Sequence, residues 1–322
     1  MAEYKGIHGT KIQNYTSDPA NPILGQVWYN ETSQTMKVES VTTAGAWATG
    51  GSLNTGRLGI GGAGTQTAAL AFGGNIPPRI AATESYDGTS WTEVNDLNTA
   101  KNSLGDAGTQ TSALGFGGYN PGGFSIDTES WNGTCWTAVN NMNTGRQWVA
   151  GVGADNTSAL GFGGVNGGNK ALTESWNGTS WTEVNDLNTA RYALGGAGTQ
   201  TLALAFGGGT PTVQSVTESW NGTCWTEVND LGTARYYVAG CGTQTAALAF
   251  GGRDPGGNKA LTESWNGTSW TEDSDLSTAR YGLTGVGTQT LALAFGGSVA
   301  PGSQTEEWTG AGSPLTKTIT SS

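Results

Sequence analysis

An all-β fold, a β-propeller of four-stranded antiparallel blades, is what this sequence predicts, and three observations predict it. Paired glycines recur at Gly73-Gly74, Gly117-Gly118, Gly163-Gly164, Gly207-Gly208, Gly251-Gly252 and Gly296-Gly297, a period of roughly 45 residues, which belongs to solenoids and propellers. The stretch TESWNGTSWTEVNDLNTAR at Thr173–Arg191 recurs, with a few letters changed, from Thr83, Thr128, Thr217 and Thr262. Within each period four short strand-like runs alternate with turn signals, and no run has helical periodicity.

The unit from Arg191 to Ala234 shows each element in order. YALGGAG is a small-residue run able to pack tightly as an inner strand a. After the Thr199-Gln200 turn, TLALAFGG places Leu202, Leu204 and Phe206 on one face and alanines on the other, so strand b is apolar on both faces and buried between layers. A polar b–c loop leads to VTESW, strand c. Asn221-Gly222 then predicts a type I′ hairpin into TCWTEVNDL, strand d. Two aromatics per unit, at Tyr86, Trp131, Trp176, Trp220, Trp265 and Trp308 and at Trp91, Trp136, Trp181, Trp225 and Trp270, read as packing between blades.

Composition narrows the function. Glycine is abundant at 54 of 322 residues, but without a three-residue period and with 9 prolines, which excludes collagen. A net charge of −11 with 14 Lys+Arg excludes a binder that tracks nucleic-acid phosphates. Three cysteines match neither a disulfide framework nor a metal site. No apolar run is long enough to span a membrane, and the opening MAEYKGIHGT has no secretory h-region. The expectation is therefore no membrane insertion and no signal peptide.

The double glycine closing strand b, an aromatic about a dozen residues on, the Trp of strand d and then Arg or Lys together resemble the kelch repeat over residues 47–310. GQVWYNETSQTMKVESVTTAGAW, Gly25–Trp47, is a different pattern: a strand at Val27–Asn30, a turn, a strand at Met36–Glu39 and a third strand from Trp47. With the preceding SDPANP it resembles a short module common near the N-termini of tailed-phage fibre and virion proteins. Two regions follow, 1–56 as the strand module and 57–322 as six repeats. Two closures are open. In the preferred one, PLTKTITSS supplies strand d of the sixth repeat and the N-terminal residues make a divergent seventh blade. In the other, the strand of Trp47 completes a six-bladed ring.

An enzyme is not expected. Copper chemistry of the galactose-oxidase kind needs several histidines and the chain has one, His8. Glu84, Glu129, Glu174, Glu218 and Glu263 recur beside Arg57, Lys101, Arg146, Arg191, Arg235 and Arg280, and equivalent copies read as structural ion pairs, whereas a catalytic pair of carboxylates needs two unlike environments. No catalytic residue, metal or cofactor is expected. The copies differ in their b–c loops and in the residues following strand d, which antiparallel connectivity puts on one face. Candidate ligand-binding residues there are Trp148, Tyr192, Tyr236, Tyr237, Tyr281, Tyr119, Phe124, Arg79, Lys170, Arg253, Asp254 and Lys259. The phage resemblance implies a virion location and other virion proteins as partners. The aromatic face suits attachment to a host-surface glycan or a virion protein. A cellular or secreted carbohydrate-binding lectin is the alternative.

Overall fold

Every regular element in a computed structural model of the chain is a β-strand, among the described residues 12–20, 22–42, 44–300, 302–312 and 314–319. His8 lies outside them. The chain divides into two compact units, Ala46–Trp308 and Met1–Gly45 with Thr309–Ser322.

The larger unit is a propeller-like array of four-stranded antiparallel sheets, each ordered a-b-c-d. In the fourth sheet these strands are Gly195–Gly198, Ala203–Phe206, Thr217–Trp220 and Trp225–Val228. Strand a of the first, second, third and fifth sheets is Gly61–Gly64, Gly105–Thr109, Ala150–Asp155 and Ala239–Thr243. The sixth sheet takes strands a to c from Thr284–Gly287, Leu291–Phe295 and Thr305–Thr309, and its strand d from Ala46–Thr49.

That last pairing corrects the preferred assignment of the C-terminal segment. Pro314–Ile319 pairs antiparallel with Thr35–Val41 in the smaller unit, from Met36 opposite Ile319 to Val41 opposite Pro314. The reason is visible in the side chains. Every strand d needs an indole, Trp47 supplies it, and PLTKTI has none. The smaller unit's sheet is completed by Val27–Asn30 and by Gln13–Tyr15, which pair in parallel, an arrangement no repeat has. Inside it Trp28 is fully buried. The Asp18 carboxylate accepts hydrogen bonds from Trp28 Nε1 (3.0 Å) and Asn30 Nδ2 (2.7 Å) and pairs with Lys37 (3.3 Å).

Packing between repeats follows one rule. The strand-d indole of each sheet lies on the strand-b phenylalanine of the preceding one, with centroids 4.7–5.0 Å apart. Its Nε1–H donates to the first threonine of that sheet's strand c at 3.0–3.1 Å. Trp91 of the first sheet obeys it toward Phe295 and Thr305 of the sixth. Trp47 obeys it toward Phe250 and Thr262 of the fifth. Six apolar cores result, one between each pair of neighbours. The constant a–b turn belongs to the same scheme: Gln66, Gln110, Gln200, Gln244 and Gln289 each donate Nε2–H to the strand-c carbonyl of the preceding sheet, at Trp308, Tyr86, Trp176, Trp220 and Trp265.

Inner strands stay small because they converge. A Cβ on Gly240 would lie 2.3 Å from the Phe206 ring of the preceding sheet. The c–d turn differs from the expected type I′. Trp220 and Trp225 are the last pair, so the turn is four residues long. Gly222 is left-handed (φ 90°), and Asn221 is not among the left-handed residues described. The Asn221 side-chain carbonyl instead accepts the amides of Thr223 and Cys224, both at 2.9 Å, an Asx turn that needs no positive φ at asparagine.

Candidate binding face and axial cavity

Backbone bridges join the residue after five of the six recurrent bases to the b–c loop of its own repeat: Leu58 to Asn75, Asn102 to Tyr119, Gln147 to Val165, Tyr192 to Gly209 and Tyr236 to Arg253; after the sixth, the Ser298 amide donates to the Tyr281 carbonyl at 3.0 Å. The variable junctions and variable loops therefore share one face, as antiparallel connectivity requires.

At the next residue the six junctions meet. Gly59, Ser103, Trp148, Ala193, Tyr237 and Gly282 all have φ between 52° and 65°. Five of the six amides donate to the junction before: Gly59 to Gly282, Ser103 to Gly59, Trp148 to Ser103, Ala193 to Trp148 and Tyr237 to Ala193, at 2.7–3.1 Å. A left-handed backbone is free for glycine but costs roughly 1–2 kcal/mol for an L-residue. Two junctions use glycine; Trp148 and Tyr237 hold bulky side chains in the strained conformation. Such strain is kept where the side chain is needed.

These side chains make one aromatic cluster. Trp148 and Tyr237 meet edge-on at 4.4 Å across Ala193 of the intervening repeat. Tyr237 also touches Tyr236 (4.6 Å), Tyr281 (5.3 Å) and Tyr192 (6.1 Å). All five are half-buried. The indole reaches from the third repeat to the first: a methyl group added to Gly59 would sit 3.4 Å from Trp148 Cη2. Burial and the neighbouring tyrosines push the Tyr237 hydroxyl well above its usual pKa; burial and Tyr236 do the same to Tyr192. Both stay protonated donors at neutral pH.

The other sequence-predicted residues are distributed around this cluster. Arg253, exposed, lies 5.3 Å over the Tyr281 ring and joins it. Asp254 and Lys259 form a 2.9 Å pair across the short hairpin of Arg253–Asp254 with Gly257–Asn258. A second group stands apart: Tyr119 and Phe124, paired across their own hairpin and edge-on at 5.4 Å, with Arg79 4.4 Å over Tyr119. Lys170 lies in the third b–c loop, in ring contact with neither group.

Beneath Trp148 and Tyr237 lies a cavity of about 100 Å³ that all six repeats line. One side chain there was missed: Asp106, at the second position of strand a, where the five other repeats have Gly62, Gly151, Gly196, Gly240 and Gly285. Its carboxylate accepts the Gly62 amide at 2.7 Å and a bond from the Thr284 hydroxyl. Burial, opposed by those two bonds, pushes its pKa up to about 7. Gly115 is its cross-strand partner. A Cβ there would come 2.9 Å from Phe72, so the missing methyl leaves that ring room beside Asp106.

The recurrent carboxylates are elsewhere and occupied. Arg57–Glu84, Lys101–Glu129, Arg146–Glu174, Arg191–Glu218 and Arg235–Glu263 pair at 2.5–3.1 Å, fully buried or nearly so, and Arg280 pairs with Glu306 likewise. Glu84, Glu129, Glu174, Glu218, Glu263 and Glu306 also accept an amide from the loop before the base, such as Asn188 N–H to Glu218 at 2.7 Å. Cys241 is buried, its thiol pushed up to about 12 by burial, while Cys135 and Cys224 are exposed in c–d turns. Among the described residues no three His, Cys, Asp or Glu side chains gather as metal ligands, and no helix is long and apolar enough to cross a membrane. No protein-family model matches the chain, and no curated protein matches it significantly.

Proposed function

We propose that the chain is a non-enzymatic, kelch-like propeller of a phage virion, with six blades closed into a ring by Ala46–Thr49, and that its b–c face attaches the particle to a host-surface glycan. Closure draws its support from Trp91 and Trp47, which carry the inter-repeat bonds across the seam to Thr305 and Thr262. The non-enzymatic reading rests on the recurrent glutamates, each engaged by a buried base and by backbone amides. The virion reading rests on the N-terminal motif, whose Trp28, Asn30 and Lys37 are held by Asp18.

The single observation that carries attachment is the aromatic cluster of Trp148, Tyr192, Tyr236, Tyr237 and Tyr281. It joins four successive junctions, stays half-open to solvent, and is kept at a backbone strain that Gly59 and Gly282 avoid. Aromatic faces stack on sugar rings, and such anchors are worth about 2 kcal/mol or more when central. The double substitution Trp148→Gly with Tyr237→Gly tests this, because glycine is what two other junctions already carry. The variant is expected to fold and to lose at least tenfold in binding to the cognate surface glycan on an array. The opposite-face Gln200→Ala variant should bind normally. Normal binding by the double glycine variant overturns the assignment.

A further inference from the structure

The charge on this face points to the class of glycan, an inference that rests on the attachment reading above. Between Ala46 and Trp308 the chain has ten basic residues. Six of them, Arg57, Lys101, Arg146, Arg191, Arg235 and Arg280, are consumed in buried ion pairs. The four that remain, Arg79, Lys170, Arg253 and Lys259, all lie in b–c loops and therefore all on the aromatic face. This is not a consequence of surplus basic charge, since the chain carries −11 overall.

Acids that share the face are engaged. Asp254 is held by Lys259 at 2.9 Å, and Asp127 accepts Asn120 Nδ2 at 2.9 Å. Asp96, Asp186, Asp230 and Asp275 each accept the first amide of strand c at 3.0–3.1 Å. By contrast Arg253 is exposed, has no carboxylate partner among the described residues, and lies 5.3 Å over the Tyr281 ring. Held over the ring and exposed, the guanidinium keeps N–H groups open to solvent, and an arginine so placed can receive a carboxylate in two parallel hydrogen bonds. The Tyr236 backbone bridges to Arg253 itself, so the open guanidinium and the Tyr236–Tyr237–Tyr281 rings are held together.

We infer that the ligand is a carboxylate-bearing saccharide, a sugar acid whose ring lies against Tyr236, Tyr237 and Tyr281 while its carboxylate meets Arg253. The sugar face supplies the stacking area and the carboxylate supplies the register. Lys170 and Arg79, in the third and first repeats, extend the positive field toward neighbouring acidic residues of a polymer, so attraction weakens as salt shortens the Debye length.

The test measures binding of the full chain to a panel of carboxylated polysaccharides and to the same polysaccharides after carboxyl reduction. Binding is expected for at least one carboxylated member, falling at least tenfold on reduction and falling with added salt. Arg253→Gln is expected to lose at least tenfold toward the carboxylated form and little toward the reduced one, while Arg253→Lys recovers part of the loss. Equal binding to both forms, or an Arg253→Gln variant that binds the carboxylated form normally, overturns this inference and leaves glycan attachment standing. Failure to bind any member of either panel overturns both.

Discussion

Asp106 has no counterpart in the other five repeats, and its protonation follows from where it sits. Burial raises its pKa to about 7, against about 3.9 for an aspartate in an unfolded chain. Between those values the folded protein holds a proton that the unfolded chain has released. The stability this provides is complete below about pH 4 and is lost as pH rises through 7. Asp106→Asn does not titrate, so its unfolding free energy relative to the parent should improve between pH 5 and pH 8.5. The ceiling over that interval is about 3 kcal/mol, since about two pH units of the shift lie above pH 5, reduced by the water the cavity admits. A difference that does not change with pH, in urea unfolding at the two values, would sink this account. Asp106 was legible as GDAG among copies reading GGAG, AGVG, AGCG or TGVG, all with glycine at the second position. What the letters did not carry was that the second position of strand a faces the cavity all six repeats line, because a glycine-rich strand has no side-chain alternation to show which way it faces. Trp148 and Tyr237 were legible as aromatics outside the packing pattern; their left-handed backbone was not, since only two of the six equivalent positions are glycine.

Elements were the most readable level, since the same four-strand pattern is written repeatedly and each copy checks the others. The pairing of a recurrent glutamate with a recurrent base was visible by repetition alone. Its burial and its second duty, accepting loop amides, needed the fold. Glu218 illustrates the energetics: it is fully buried, meets Arg191 at 3.0 Å and accepts the Asn188 amide at 2.7 Å. Glu218→Ala strands a buried guanidinium and should cost about 3–5 kcal/mol, read as a lower denaturant midpoint. Replacing both partners, Glu218→Leu with Arg191→Met, should recover much of that loss, since a buried pair exchanged for apolar volume is often close to neutral. A double variant as unstable as the single one would show that the amide contacts, rather than the ion pair, dominate. The c–d turn shows where local rules misled. Asn-Gly invites type I′, but the asparagine side chain makes its own turn and lengthens the loop to Asn221–Cys224.

At the scale of the molecule, the assignment of the two chain ends was the part the sequence left open. Both Trp47 and the C-terminal PLTKTI read as strands, and only the indole requirement of strand d separates them. A fragment of residues 46–309 keeps every strand of the six repeat sheets and should unfold in one cooperative transition near the parent's melting temperature. A fragment of residues 50–309 loses strand d of the sixth sheet, exposes Phe250 and Trp308, and should melt well below it. Equal melting of the two fragments would show that Ala46–Thr49 is dispensable. The seam also has a consequence for biosynthesis. Ala46–Thr49 is translated first among the repeat strands, yet its sheet is finished only when Thr305–Thr309 emerges. At ribosomal rates of about 5–20 residues per second, the wait is on the order of ten seconds or more. During it, later copies of strand d, nearly identical in sequence, find partners locally, while the earliest copy stays unpaired. A chain cut short before the fifth repeat leaves Trp47 without Phe250 and Trp308 to lie on, and one cut after the fifth still lacks Trp308, so an incomplete product advertises itself by a poorly sheltered indole.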